Sequence, residues 1–321
     1  MTQMVGHQEP WREWRDAMAG PRMHHAWLLA GKSGLGKMHF ALAAARELVA
    51  TAGVHQPVGD HPDIHILTHL PKDEKEERKR ADGKPFELKR NISVAQIRAM
   101  QQRLNTRPTL GNRRAIIIDP ADDMEKGASN ALLKSLEEPP QGTFFLLVAH
   151  RPARLLPTIR SRCRTLRFPI VSDDQMAILL SREVPEADRA ALDAAIAAAN
   201  GSPGSALDFI VRDLGPLNTI MQRIARNGDP DFALRGQLAS AIGTRPDRAR
   251  VQAVLDLARA VIGGMAGECA DDLIPAMADA HAQLVTLTGQ ASTFNFDAGL
   301  LVMEIGSLLA SAAPPRERAH A

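Results

Sequence analysis

A glycine-rich turn near the start of the chain limits its possible folds more than any other feature. It runs from Gly31 to Met38 (Gly-Lys-Ser-Gly-Leu-Gly-Lys-Met), after an apolar stretch and before a helical pattern. Gly31, Gly34 and Gly36 let backbone N–H groups point at phosphate oxygens, and the following helix adds positive potential. Lys37 would reach the outer phosphates of a nucleotide. A plain strand–helix connection is the alternative, but the strand, the spacing and the lysine together favour nucleotide binding.

Two positions of this site depart from what ATP hydrolysis requires. Magnesium needs a hydroxyl oxygen directly after the lysine, and the thioether of Met38 is a poor ligand for it. Asp119 ends a buried strand and is the expected second acid of a phosphate site. A glutamate that orients the attacking water usually comes next, but here Pro120 follows. We interpret Asp122 and Asp123 as helix-capping or surface acids. The pattern predicts a nucleotide cradle without a hydrolytic centre.

Short apolar runs alternate with helical patterns in the first half of the chain, which predicts an α/β domain with a parallel sheet. The predicted strands are Ala26–Ala30, Ile64–Leu67, Arg114–Asp119, Thr143–Ala149 and Thr165–Phe168, and the helices between them are Lys37–Ala50, Val94–Leu104 and Ser129–Glu138. From Ser172 onward the strand signals stop, and three short helices precede a longer helical region. We expect an α/β domain over 1–169, a three-helix domain over 170–212 and a helical packing or oligomerisation domain over 213–321. The tail Pro314–Ala321 is predicted to be frayed.

Composition excludes several other classes of protein. The longest unbroken apolar runs, Phe144–Ala149 among them, are far shorter than a membrane-spanning helix, and we expect a soluble cytoplasmic protein. Two cysteines do not make a disulfide framework. A formal net charge of +2, no tyrosine and 4% aromatic residues argue against a strongly basic surface or a stacking platform for single-stranded nucleic acid.

Three further stretches point to one family. Asn130–Pro140 reads Asn-Ala-Leu-Leu-Lys-Ser-Leu-Glu-Glu-Pro-Pro, and Arg154–Cys163 ends in Ser-Arg-Cys. His25–Leu29 precedes the phosphate loop, and His61–Asp63 follows the first helix of the α/β domain. In this order, from about residue 5 to about residue 210, the chain resembles the delta-prime family of bacterial DNA polymerase III clamp-loader subunits, which are AAA+ proteins.

The resemblance implies an AAA+ phosphate-loop domain followed by a helical lid and an all-α collar. It also implies a non-hydrolysing stator that takes part in loading a sliding clamp onto primed DNA. Such a subunit has no catalysis of its own and is an accessory to a DNA-directed DNA polymerase, a nucleotidyltransferase. The resemblance assigns Arg162 as an arginine finger that acts in trans on the ATP of a neighbouring gamma or tau subunit. A plain surface arginine is the alternative for Arg162. The other implied partners are the clamp-opening delta subunit, the sliding clamp and primed DNA.

Departures from the family pattern refine these expectations. Gly204 stands where working ATPases of the family carry a lid arginine, so a degenerate cradle would at most bind ATP or ADP weakly. The members' four-cysteine zinc module has no counterpart, because no cysteine precedes Cys163. The histidines of this region are predicted to face solvent, and no zinc or other metal is expected; they are His55, His61, His65 and His69. Residues 72–90, which mix acidic and basic side chains, are predicted to form a solvated, partly mobile loop.

Two rival functions remain for comparison. A self-sufficient AAA+ ATPase motor in replication or repair would need the metal and water positioning that Met38 and Pro120 do not provide. A small-molecule phosphotransferase could use the same loop, but the Ser-Arg-Cys stretch and the helical second half argue against it.

Overall fold

The computed structural model describes residues 7–266, 269–291 and 296–314. They form two compact units, one ending at Ile170 and the other beginning at Val171. The first residues of the predicted α/β domain, 1–6, lie outside the described residues, as does the tail predicted to fray, apart from Pro314.

The first unit is built on a five-stranded sheet in which every neighbouring pair is parallel, with the order β2-β3-β4-β1-β5. The strands are β1 (Ala26–Ala30), β2 (Ile64–Leu67), β3 (Arg114–Ile118), β4 (Thr143–Ala149) and β5 (Arg164–Arg167). The helices are α1 (Gln8–Ala19), α2 (Lys37–Val49), α3 (Glu74–Ala81), α4 (Val94–Arg103), α5 (Lys126–Glu137) and α6 (Pro157–Arg160). The predicted α/β class with a parallel sheet is confirmed.

Both faces of the sheet are covered, as the near-continuous apolar character of β3 and β4 requires. On one face Ile116, Phe145 and Leu147 pack with residues of α4 and α5 such as Ile97 and Leu132. An aromatic cluster occupies the other face, where ring centroids lie 4.4 to 6.3 Å apart; its members are Trp11, Trp14, Trp27, Phe40 and Phe168. Because both faces of the sheet are covered, only the ends of its strands can contribute residues to a binding site.

Local signals set the helix ends. Ser93 and Gln96 form a capping box at the start of α4. The helix predicted from Ser129 begins three residues earlier, at Lys126, and ends at Glu137, just before the two prolines that cannot continue it. The predicted strand ends differ from the observed ones by one residue at β3 and β5, which is the usual uncertainty of such boundaries.

The prediction of a solvated, partly mobile loop over residues 72–90 is wrong for Glu74–Ala81, which is helical, whereas most of the segment is exposed as predicted. The segment contains α3, and the Asp73 carboxylate caps it by accepting a hydrogen bond from the Glu76 amide at 3.0 Å. The Glu76 side chain is buried and accepts from the Glu87 amide at 2.8 Å and from Lys79 Nζ at 2.7 Å. Some of the charged side chains in this segment form ion pairs and hydrogen bonds with each other, and others are only solvated. Amino-acid composition does not distinguish the two cases.

The second unit is entirely helical in its described residues. It comprises α7 (Asp173–Glu183), α8 (Arg189–Ala199), α9 (Pro203–Val211), α10 (Gly215–Asn227), α11 (Ala233–Ile242), α12 (Arg248–Met265), α13 (Ile274–Ala291) and α14 (Ala298–Ser311). Helices α8 and α9 contact α12, and Arg250 Nη1 donates to the carbonyl of Arg212 at 3.2 Å. The predicted boundary near residue 212 therefore falls inside one compact unit, and a functional division into lid and collar stays a prediction. Within the described ranges no helix has the length and apolar character to cross a membrane.

Candidate functional site

The predicted phosphate loop lies between β1 and α2 and folds around its own lysine. Lys37 Nζ donates to the carbonyl of Gly31 at 2.7 Å and also to the carbonyl of Lys32. Gly34 and Gly36 both have φ of 76°, a left-handed conformation that strongly favours glycine. Two glycines of the loop thus have left-handed backbone, and its lysine is bonded to the loop's own carbonyls.

Residues outside the loop hold it in place. A Cβ atom added to Gly31 would lie 2.7 Å from the carbonyl oxygen of Phe168, so only glycine fits there. His7 Nε2 lies 2.5 Å from the carbonyl of Leu35, and the His7 ring packs edge-on against Phe168 at 5.0 Å. Sequence reasoning missed His7, because no local pattern marks a lone histidine as a loop contact.

Asp119 follows β3 at the same edge of the sheet as the loop. Its Oδ1 atom is buried and has no hydrogen-bond partner among the described residues. Burial raises the pKa of Asp119, and the charge of Lys37 opposes that shift. Burial also lowers the pKa of Lys37 to about 8, against the pull of the Asp119 and Asp122 carboxylates. The structure brings Lys37 and Asp119 together, with Met38 and Pro120 beside them.

The buried Lys37 ammonium should make stability rise with pH in the alkaline range. Between about pH 8 and pH 10 the unfolded chain keeps a proton that folded Lys37 has released, whereas below pH 8 both states are protonated. Between pH 7.5 and pH 10 we expect the wild type to gain on the order of 2 kcal/mol relative to Lys37→Met. Urea unfolding of both proteins measures this, and identical pH dependence would contradict the burial of a charged lysine.

The interpretation of Asp122 as a helix-capping or surface acid is wrong. Asp122 is buried and accepts hydrogen bonds from the backbone N–H groups of His150, at 2.9 Å, and Arg151, at 3.0 Å. This carboxylate ties the turn after β3 to the end of β4. Burial, followed by the charge of Lys37, lowers the pKa of His150 to about 4, so the imidazole is neutral at neutral pH. Sequence reasoning did not single out His150, which directly follows β4 beside the loop.

Asp123 belongs to a charged cluster at this edge. Its carboxylate lies 3.4 Å from His69 Nε2 and 3.7 Å from both Arg151 and Arg154. Burial alone would raise the pKa of Asp123, but the interactions with these three side chains outweigh it and lower the pKa. Both aspartates after Pro120 therefore have partners within the protein, Asp122 through two backbone amides and Asp123 through three basic side chains.

Arg162 lies just after α6 and is held by two contacts. Its Nη1 donates to the carbonyl of Thr158 at 2.9 Å, and its Nη2 lies 2.6 Å from Oε1 of Glu137. The side chain keeps 36% of its surface exposed. The guanidinium is thus fixed in place and still open to solvent.

The chain direction separates Arg162 from the phosphate loop. Arg162 comes two residues before β5, so it lies at the edge where the parallel strands begin. Its partner Glu137 ends α5, the helix that leads back to the start of β4, which is the same edge. The loop and Asp119 follow the carboxyl ends of β1 and β3. A five-residue strand spans about 15 Å, so Arg162 and the loop occupy opposite edges of the sheet.

The arginines near Arg162 differ in their surroundings. Arg164 Nη2 donates to Glu13 Oε1 at 2.9 Å, and this contact joins β5 to α1. The Arg164 guanidinium also lies over the Trp27 ring at 5.0 Å. Arg160 is exposed. Burial raises the pKa of Cys163 to about 12, so the thiol stays protonated and unreactive.

The histidines predicted to face solvent behave differently from one another. His61 is buried, which corrects that prediction, and its Nδ1 accepts a hydrogen bond from the Asp63 amide at 3.0 Å. His55 is exposed, whereas His65 and His69 are half-buried. Within residues 7–266, 269–291 and 296–314 no three metal-ligating side chains are grouped to hold an ion.

Comparison with known proteins gives consistent matches. The model of a family described as "DNA polymerase III, delta subunit" matches residues 6–172, slightly more than half of the 321 residues. DNA polymerase III subunit delta' of Pseudomonas aeruginosa is 33% identical over 208 residues, which cover 60% of this chain and 58% of that protein. The same subunit of Bacillus subtilis is 35% identical over 158 residues, or 46% of this chain and 43% of that protein. The chain thus matches about half the length of these relatives. A Thermotoga maritima crystal structure described as a DNA polymerase III, gamma subunit-related protein aligns over 94% of this chain and 99% of its own, with 18% identity and a TM-score of 0.49.

Proposed function

This chain belongs to the DNA polymerase III delta subunit family, and on that premise we propose that it is the delta-prime stator of a clamp loader. In this role it hydrolyses no ATP itself and supplies Arg162 to the ATP site of a neighbouring subunit. A planar guanidinium that stays charged at every relevant pH suits the oxygens of a transferred phosphoryl group.

The position of Arg162 is the observation that carries the proposal. A half-exposed guanidinium at the edge of the sheet opposite to the chain's own phosphate loop has no route to a nucleotide bound in that loop. A phosphate group can reach it only from another molecule. This supports action in trans and argues against a plain cis contact.

The chain's own site supports the non-hydrolysing half of the proposal. Met38 gives magnesium no hydroxyl ligand, and Pro120 gives water no base. Asp122 is occupied by two backbone amides, so it is not available to replace that base. In the second unit Gly204 lies in the first turn of α9, without a side chain to contact nucleotide. ATP or ADP would bind weakly if at all.

The partners follow from the family role and are part of the proposal. The neighbour that receives Arg162 would be a gamma or tau ATPase subunit, and the chain would also contact the clamp-opening delta subunit. The sliding clamp and primed DNA would be reached through the complex, in the cytoplasm. The helices from α10 onward would supply the collar by which such subunits associate.

The isolated chain tests the non-hydrolysing half directly. With magnesium and ATP we expect no phosphate release above that of its Lys37→Met variant, because neither metal nor water is positioned. A sensitive phosphate-release assay on the two purified proteins measures this. Turnover by the wild type that disappears in Lys37→Met would refute the proposal and favour a self-sufficient AAA+ motor.

A further inference from the structure

We propose that Glu137 is a positioning residue for Arg162, and this inference rests on the proposed function of that arginine. The Glu137 carboxylate lies 2.6 Å from Arg162 Nη2, and both side chains are partly exposed, at 49% and 36%. Between them they join the last residue of α5 to the turn after α6, across 25 positions of sequence. A charge-assisted contact at this distance orients the guanidinium as well as attracting it.

Helix α5, which carries the Glu137 carboxylate, is held firmly in place. Leu132 and Leu136 anchor α5 in the core, and Gln101 Nε2 donates to the carbonyl of Ala131 at 2.8 Å and to Ser135 Oγ at 2.9 Å. These contacts fix the end of the helix on which Glu137 stands. Glu137 can therefore define a place for a long and otherwise mobile side chain.

Arg162, the other member of the pair, is also held by contacts within the protein. The Arg162 amide donates to the carbonyl of the fully buried Ile159 at 3.1 Å, and Thr158 supplies the second guanidinium contact. Only Nη1 and Nη2 have partners among the described residues, which leaves Nε–H and the outward N–H groups for an incoming oxygen. A phosphate of the neighbouring subunit can therefore bind without displacing Glu137.

This geometry decides between two roles for the carboxylate. If it competed with phosphate, its removal would release Arg162 and speed hydrolysis. Arg162 keeps N–H groups available for phosphate while Nη1 and Nη2 are held by Thr158 and Glu137. We therefore assign Glu137 the opposite role, which is to keep the guanidinium in the orientation that a transition state requires. Without it Arg162 would sample many rotamers, and only some of them would present donors to the neighbour.

The test uses the reconstituted complex and single-turnover ATP hydrolysis. We expect Glu137→Ala to lower the rate constant about fivefold with an apparent KM for ATP within about twofold of wild type, since orientation and not ATP binding is lost. Glu137→Gln keeps an acceptor oxygen and should recover part of the rate. Glu138→Ala, which removes the adjacent exposed carboxylate, is the matched control and should react like wild type.

A double variant separates positioning from a structural role. In the Arg162→Ala background Glu137→Ala should cause no further loss, because its effect passes through that arginine. A further loss there, or a Glu137→Ala single variant at or above the wild-type rate, overturns the inference and leaves the proposed function of Arg162 intact. An Arg162→Ala complex at the wild-type rate would instead overturn the proposed function itself. Thermal unfolding and complex size confirm that each variant is folded and assembled.

Discussion

We expect that replacing Arg162 with alanine slows ATP hydrolysis at one nucleotide site of the assembled complex by about 1,000-fold or more, the scale of a trans arginine. The expected loss is large because, in the proposed role, the guanidinium would neutralise charge that develops on the phosphoryl group in a site from which water is excluded. The effect falls only on the site that faces this chain. A single-turnover time course should therefore split into fast phases and one slow phase.

Two further variants make this result specific. Arg162→Lys keeps the charge but loses the planar donor fork, so its rate should lie between wild type and alanine. Arg160→Ala removes a more exposed arginine two residues away and should leave the time course unchanged. If Arg162→Ala shows only fast phases, this arginine does not contribute to ATP hydrolysis. If Arg160→Ala slows hydrolysis as much as Arg162→Ala, the region acts through its general positive charge.

Removing the Asp122 carboxylate is the second large effect we expect. Asp122→Ala should lower the free energy of unfolding by about 3 kcal/mol, because the amides of His150 and Arg151 lose their acceptor at a buried position. The turn after β3 would then no longer be joined to the end of β4. Chemical denaturation at pH 7 measures the change.

The control for this prediction is an aspartate without such a role. Asp16 is exposed on α1, and Asp16→Ala should stay within about 0.5 kcal/mol of wild type. If Asp122→Ala is as stable as this control, the two backbone hydrogen bonds to Asp122 do not hold the end of β4 in place.

The parallel sheet and the phosphate loop were predictable from sequence for a physical reason. Strands buried on both faces read as continuous apolar runs, and a loop that needs left-handed backbone leaves glycines such as Gly34 and Gly36 in place. Helix ends were predictable where a proline or a cap marks them, as at α5. The absence of a hydroxyl residue at Met38 and of a glutamate at Pro120 is likewise visible in the sequence, because each is a change of residue type.

Contacts between distant segments were not predictable in this way. The acids that follow Pro120 look alike in sequence, yet Asp122 is buried under two amides and Asp123 pairs with three basic side chains. The pairing of Glu137 with Arg162 joins two motifs that were each recognised but not connected. Helix α3 was missed although its Asp73 cap, acidic first turn and basic last turn are local helix signals; only the burial of Glu76 has no local pattern.

We propose that this chain serves ATP hydrolysis through Arg162 and not through its own phosphate loop. The most direct measurement compares single-turnover hydrolysis by complexes that carry Lys37→Met or Arg162→Ala in this subunit. We expect wild-type kinetics for Lys37→Met and one slowed site for Arg162→Ala. Slowing by Lys37→Met in an intact complex, together with wild-type kinetics for Arg162→Ala, would contradict it.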